Sequence, residues 1–286
     1  MSMLGAIIGD IVGSTREWHN IKTEEFEMVP RGSRFTDDTV MTLAVAEWLM
    51  TDTEHRPETL VACMQQLGRK YPNAGYGKMF TRWLTTDNPQ PYNSFGNGSA
   101  MRVSPVGLYA NTLEEAMELA RITASVSHNH SEGIRGAQAI AGCVFLKKNN
   151  RTGAEDAIRN FVTEKIGYNL NFNLNDIRDK YTFDVTCQGS VPIAIKAYIE
   201  RSGYSAQKAL QLAISMGGDS DTIGAMTASI ASAEAFYIVG SDFDREVVSL
   251  CRDLLPADLL DINDRFEAFI SRPLHQSYYL GSKLFA

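Results

Sequence analysis

Apolar and small residues recur at helical spacing along most of this sequence, broken by short polar turns. The recurrence every three to four residues predicts helices over 3–12, 40–50, 57–70, 76–85, 113–125, 133–147, 154–165, 192–201, 206–216, 223–239, 245–254 and 258–271. Several are rich in Ala, Gly and Ser, and small residues at this spacing let helix axes come close. In the N-terminal segment Gly5, Gly9 and Gly13 recur every four residues and so fall on one helical face. A glycine inside a helix costs roughly 1 kcal/mol relative to Ala, so a backbone packed against that face must offset the loss. Alternation of period two is confined to 181–186, which has no obvious partner. The polar stretch 148–151 and the Asn/Asp-rich 168–179 read as surface connections, because apolar helices resume on both sides. The pattern predicts an all-α fold in which residues 1–286 form one compact domain.

Composition narrows the setting. A chain of 286 residues buries a substantial core without staples. Cys63, Cys143, Cys187 and Cys251 are far apart and form no CxxC pair, which argues against structural zinc and disulfides. A reducing cytoplasm follows as the expected home. The net charge of −7 opposes general nucleic-acid affinity. No segment has the length and apolarity of a membrane span, and 3–12 is short, carries Asp10 and lacks a basic start. A monomer is the default expectation.

The candidate chemistry sits in two acidic clusters, Thr36-Asp37-Asp38-Thr39 and Asp219-Ser220-Asp221-Thr222, each just before a predicted helix. Such residues are preferred helix caps, and acids favour the positive end of a helix dipole. Four carboxylates drawn together without bases repel one another, and two hard divalent cations would resolve the conflict through oxygen ligands. One cluster alone reads first as a cap. A second, introduced by Gly217 and Gly218, shifts the weight toward metal.

Other segments admit two readings each. Asp10 in its apolar run reads as a structural hydrogen-bonding group. Glu17 follows the helix-breaking Gly13, where the chain can enter a cleft, although by itself it reads as a surface acid. The stretch Ser94-Phe95-Gly96-Asn97-Gly98-Ser99 offers residues that tolerate left-handed backbone, so its amides can converge on an anion, with Phe95 able to stack on a nucleobase. The plain alternative is a tight interhelical turn with Phe95 in the core. His128 and His130 precede a helix, but no third nitrogen or sulfur ligand is suitably spaced for zinc, so a hydrogen-bonding His at the helix start is the economical reading. His19, His55 and His275 read as surface residues.

Taken in order, these segments make the chain resemble the ADP-ribosylglycohydrolase family. The matching residues are Gly9, Asp10, Gly13 and Glu17; Thr36 to Thr39; Gly96 to Arg102; Ser127 and His128; Val191 and Pro192; and Gly217 to Ala225. The ordered set spreads from Leu4 to about Phe269. The resemblance implies a compact multi-helix orthogonal bundle with a binuclear metal cleft, the ions being Mg²⁺ first and Mn²⁺ second. It makes Thr36, Asp37, Asp38, Asp219, Asp221 and Thr222 the metal ligands, with Asp37, Asp38, Asp221 and Glu17 as the catalytic set. Glu17 would sit on a mobile segment near the scissile bond. Ser94, Phe95, Gly96, Asn97, Gly98, Ser99, Met101 and His128 would bind substrate. Phe95 replaces a Tyr found in some relatives, and Ser99 a Gly. The implied reaction is hydrolysis of the C1″ glycosidic bond of ADP-ribose on a protein, nucleic acid or small molecule. A two-metal nucleotide phosphoesterase and a non-catalytic ADP-ribose-binding module are the alternatives. The 168–184 stretch matches nothing in the family pattern and is the expected shaper of acceptor choice.

Overall fold

The computed structural model describes residues 2–150, 152–233 and 243–271. These form the helices α1 (Leu4–Gly13), α2 (Asp37–Thr51), α3 (Pro57–Lys70), α4 (Lys78–Thr85), α5 (Ser104–Tyr109), α6 (Leu113–Ser125), α7 (Ser131–Asn149), α8 (Ala154–Asn160), α9 (Leu174–Ile177), α10 (Cys187–Glu200), α11 (Ala206–Ser215), α12 (Ser220–Ala231), α13 (Arg245–Asp253) and α14 (Ala257–Ile270). A 3₁₀ turn at Asn97–Ser99 and a π-helical turn at Phe161–Ile166 complete the regular backbone. Among the described residues there is no sheet, and an isolated antiparallel bridge joins Gly96 to Thr186. The fold is an all-α bundle.

Two helices, α1 and α12, are buried along their whole length and form the centre. Gly5, Gly9 and Gly13 face α12, as their common face predicts. A methyl group on Gly9 would lie 2.2 Å from the Gly224 carbonyl oxygen, and one on Gly13 would lie 2.4 Å from that of Ser220. The backbones therefore touch, and dispersion over that contact offsets the helical cost of the glycines. The seam has a functional consequence. It sets the start of α12, with Asp219 at the N-cap and Asp221 in the first turn, against the end of α1.

Most predicted helices are present, and the differences have local causes. α3 begins at Pro57, whose missing N–H costs nothing in a first turn, and α6 begins after Thr112, whose hydroxyl accepts from the Glu115 amide at 3.0 Å. Both match the predicted bounds. α2 and α12 start three residues earlier than predicted, so Asp37, Asp38 and Asp221 belong to first turns and Asp219 stands at the N-cap of α12. The far end of the predicted 223–239 helix, from 234 onward, lies outside the described residues, as does His275. The 181–186 segment pairs through the single bridge and is no strand. The 168–179 connection is not wholly superficial, because Tyr168, Leu170 and Leu174 are buried in the core. No helix among the described residues is long and apolar enough to cross a membrane.

Candidate metal centre

Asp10 projects from α1 toward the start of α2. Its Oδ2 accepts from the backbone amides of Thr36 at 2.8 Å and Thr39 at 3.1 Å, and its Oδ1 accepts from the Thr36 hydroxyl at 2.7 Å. The Thr39 hydroxyl donates to Oδ2 at 2.5 Å. This is the structural hydrogen-bonding role read from the sequence, but it is not the whole role. Asp10, Asp38 and Asp221 each place a carboxylate oxygen within 4.8 Å of the others, and Glu17, Asp219 and Asp221 form a second such group. Asp221 belongs to both. Membership of Asp10 was missed, although its place one residue beyond Gly9 puts it beside the seam that α12 occupies.

The helix-cap and metal readings now separate. Thr36 caps α2, its hydroxyl oxygen accepting from the Asp38 amide at 3.3 Å. Asp219, at the corresponding place before α12, makes no side-chain cap. Its Oδ2 instead accepts from the Asn97 side-chain amide at 2.6 Å. Thr222 donates its hydroxyl to Asp38 Oδ2 at 3.1 Å, joining the two clusters directly. Asp37 stands half-buried beside them, its backbone amide donating to the Ala74 carbonyl at 2.8 Å; it belongs to neither close group.

Electrostatics argue for a cation. Burial, then the charge of Asp221, pushes Asp10 up to about 7 despite its four donors. The same two causes hold Asp37, Asp38 and Asp219 well above the carboxylate range, and burial raises Asp221 itself. Arg34 offsets the charge near Asp221 and Glu17. Asp38 Oδ1 is buried with no hydrogen-bond partner, a costly state for a carboxylate oxygen. An orphaned buried oxygen among clustered carboxylates and two threonine hydroxyls is the donor set that Mg²⁺ or Mn²⁺ selects. The two groups sharing Asp221 suggest a binuclear site.

This gives a testable pH dependence. Asp10 binds its proton near pH 7 in the folded chain, against an ordinary 3.8, so between those values the folded state holds more protons. Raising the pH across that window therefore removes stability from metal-free protein. Melting temperature in chelator is expected to fall from pH 5 to pH 8. With saturating Mg²⁺ the fall should flatten or reverse, because the cation takes the deprotonated carboxylates. Equal slopes in both conditions would remove the site from metal binding.

Glu17 is half-exposed at the rim. Burial, then Asp221, raises it to about 7, with Arg34 opposing. Its segment is pinned on both sides. Arg16 donates to the carbonyls of Val12 and Glu27, while Asn20 donates to the Gly218 carbonyl at 3.1 Å and accepts from the Gly218 amide at 2.7 Å. Gly217 and Gly218 adopt φ of 69° and 75°, a left-handed pair that turns the chain into α12. Lys22 donates to the carbonyls of Arg178, Tyr181 and Met216, and Glu24 pairs with Arg178 and Arg201. The 168–184 stretch is thereby tied to the Glu17 segment. At their outer edge Trp18, 71% exposed, stacks on Phe183 with ring centroids 5.3 Å apart. Nothing in the sequence pattern marked this pair.

The glycine loop uses its residues differently from the expectation. Neither Gly96 nor Gly98 is left-handed; the segment is a 3₁₀ turn. Their value is proximity, since a methyl on Gly98 would lie 3.2 Å from His128 Nε2 and one on Gly96 would lie 3.6 Å from it. Phe95 is 45% exposed against His130, so it is not in the core. Ser94 Oγ accepts from the Gly96 amide at 3.1 Å. Ser99 is buried and donates to the Gly133 carbonyl at 2.7 Å, bracing the loop from behind. Met101 is buried with its sulfur 3.9 Å from the Thr222 hydroxyl. His130 caps α7, its Nδ1 accepting from the Glu132 amide, as the helix-start reading requires. His19 is exposed. His55 is not a surface residue: it is half-buried between the rings of Trp48 and Tyr109.

The model of the ADP-ribosylglycohydrolase family matches residues 1–235. ADP-ribosylhydrolase ARH3 of Xenopus tropicalis is 25% identical over 298 aligned residues, covering 81% of this chain and 85% of the relative. Its counterpart in Homo sapiens is 25% identical, covering 81% of this chain and 83% of the relative. A solved ADP-ribosylglycohydrolase-related protein complex shares the fold with a TM-score of 0.59 at 21% identity, covering 91% of this chain and 96% of that one. Family and fold together support metal-dependent hydrolysis of the ADP-ribosylglycohydrolase type. With its acidic groups built on the glycine seam, this chain belongs to the ADP-ribosylglycohydrolase family.

Proposed function

We propose that this protein hydrolyses the C1″ glycosidic bond between ADP-ribose and an acceptor, releasing free ADP-ribose. The observation that carries the reading is Asn97, whose side-chain amide donates to Asp219 and so ties the glycine loop to the acidic groups. Thr36, Asp37, Asp38, Asp219, Asp221 and Thr222 would hold two divalent ions, Mg²⁺ before Mn²⁺, with Asp10 orienting Thr36. Ions held there supply charge that orients ribose hydroxyls and lowers the pKa of water.

The chain's own residues do the rest. Glu17, with a pKa of about 7, is poised to exchange a proton at neutral pH. In the proposed step a water oxygen bonds to C1″, the bond from C1″ to the acceptor breaks, and the acceptor takes a proton. Glu17 is the group assigned to that transfer. Phe95 offers a face to adenine, and the loop from Ser94 to Ser99, with Met101 and His128, lines the nucleotide side. Trp18 and Phe183 stand on the acceptor side, next to Glu17. The reading takes 1–286 as one domain acting as a cytoplasmic monomer, without a membrane partner. The net charge of −7 supports the absence of general nucleic-acid affinity.

Metal-dependent turnover of ADP-ribosyl-arginine, ADP-ribosyl-serine, an ADP-ribosylated nucleobase and O-acetyl-ADP-ribose, compared side by side, tests the reading. Free ADP-ribose is the expected product from at least one of them; AMP with ribose-5-phosphate would mark a phosphoesterase instead. Tight ADP-ribose binding with no turnover would mark a binding module. Glu17→Gln is expected to lower kcat by roughly 100-fold or more, as loss of a proton-transfer group does. ADP-ribose affinity should hardly change. An unchanged rate with normal binding would exclude Glu17 from the chemistry.

A further inference from the structure

Behind the glycine loop lies a buried chain of polar groups that begins at a guanidinium with no carboxylate in contact among the described residues. Arg102 is buried, and its Nη2 donates to the Thr123 carbonyl at 2.6 Å and to Ser127 Oγ at 2.8 Å. Ser127 Oγ lies 2.8 Å from His128 Nδ1. A guanidinium cannot accept, so Ser127 Oγ is the acceptor in the first contact. Its own proton has no other acceptor within hydrogen-bond reach among the described residues. Ser127 is fully buried, and a hydroxyl proton left without an acceptor there costs about 1–3 kcal/mol. The proton must therefore go to His128 Nδ1, which accepts it. The ring then carries its single hydrogen on Nε2.

We propose that Arg102 and Ser127 are positioning residues that lock His128 as a neutral Nε2–H donor aimed across Gly96 and Gly98 at an oxygen of the bound nucleotide. The geometry beyond the ring fits. Nε2 has no protein acceptor among the described residues, and the missing side chains of Gly96 and Gly98 leave the space in front of it open. A donor so placed meets a phosphate or ribose oxygen. The Phe80 and Tyr92 rings wall the imidazole, with centroids 6.2 and 5.5 Å away, and fix its plane. Burial and the nearby Arg102 charge both disfavour the imidazolium, which agrees with the neutral tautomer. The identity of the ligand oxygen rests on the ADP-ribose reading above; the tautomer does not.

Long-range proton–nitrogen NMR of the full chain labelled with ¹⁵N-histidine reads the tautomer directly, with His128 assigned by its loss in His128→Gln. The wild-type ring should show a protonated Nε2 and a bare Nδ1 before any ligand is added. A protonated Nδ1 or an imidazolium at neutral pH would overturn the proposal. Ser127→Ala, checked for an intact melting transition, should give mixed tautomers and weaken ADP-ribose by about tenfold, the scale of one buried hydrogen bond. His128→Gln, whose amide nitrogen reaches the Nε2 position, should keep more affinity than His128→Asn, whose amide falls at Nδ1. Equal losses would overturn the donor assignment. Gly98→Ala has an ordinary φ and should weaken ADP-ribose while leaving the His128 tautomer unchanged. Unchanged affinity in that variant would overturn the aim of the donor. Failure of the wild type to bind ADP-ribose would overturn the functional reading and the assigned ligand, whereas the NMR signature would still decide the tautomer.

Discussion

Asp221→Asn should abolish metal-dependent turnover and, in chelator at pH 8, raise the melting temperature. The two effects have one cause. Asp221 is the carboxylate shared by both acidic groups, and its charge helps raise Asp10, Glu17, Asp37, Asp38 and Asp219. Removing the charge takes away the shared ligand and the repulsion together. Partners one shell out from a metal typically change affinity or activity by about 10–100-fold, so loss of the shared ligand should exceed roughly 100-fold. A like-charge pair about 4 Å apart is worth roughly 4 kcal/mol at an effective dielectric of 20, and partial protonation blunts that in the metal-free state. A gain of several degrees is therefore the expected scale. Asparagine keeps the carbonyl oxygen that can accept from the Thr222 amide, as Asp221 Oδ1 does at 3.0 Å, so the first turn of α12 should survive. Added Mg²⁺, which should raise the melting temperature of the wild type, should leave the variant unmoved. Melts with and without Mg²⁺, paired with initial rates, measure all of this. A variant that melts lower in chelator, or keeps its rate, contradicts the account.

Gly9→Ala should have the largest effect on the fold. The added methyl would sit 2.2 Å from the Gly224 carbonyl oxygen and 2.6 Å from the Ala225 amide nitrogen. These are backbone atoms of a buried helix, so they cannot swing aside as a side chain can. Overpacking of a core commonly costs about 1–3 kcal/mol, and a backbone clash belongs at or above the upper end. For a chain of this size that lowers the melting temperature by roughly 5–10 °C. Because α12 carries Asp219 and Asp221, the displaced seam should also weaken metal binding. Gly77→Ala is the control: no atom lies within 4 Å of the added methyl, and the melting temperature should change by no more than a helix-cap substitution allows. Chemical denaturation of both variants beside the wild type measures the difference. A Gly9→Ala protein as stable as the Gly77→Ala protein would refute the seam.

Much of the fold was legible because its signals are local. Pro57 and Thr112 start their helices by chemistry readable from a few residues, and the glycines of α1 reported a close approach before its partner was known. α5 escaped notice because six residues around Pro105 give too little periodicity to count. The candidate site was legible as two acid clusters but not as one centre, since only the α1–α12 seam shows that they meet. Asp10 was half-read, its hydrogen bonds foreseen and its place among the carboxylates not. The glycine loop was read through a left-handed backbone that neither Gly96 nor Gly98 adopts; what restricts Gly98 is its close approach to His128, whose Nε2 would lie 3.2 Å from an added methyl. The Trp18–Phe183 stack joins residues from segments pinned together by Lys22 and Glu24, a long-range arrangement that no local pattern encodes.

The central claim is that the acidic groups on the glycine seam hold divalent cations needed for glycosidic hydrolysis. The most direct measurement is mass-spectrometric product analysis on an ADP-ribosylated acceptor, run with chelator-stripped protein as Mg²⁺ is titrated back. Free ADP-ribose rising with Mg²⁺, and absent in chelator, is the predicted result. ADP-ribose release indifferent to chelation, or AMP with ribose-5-phosphate as the products, would contradict it.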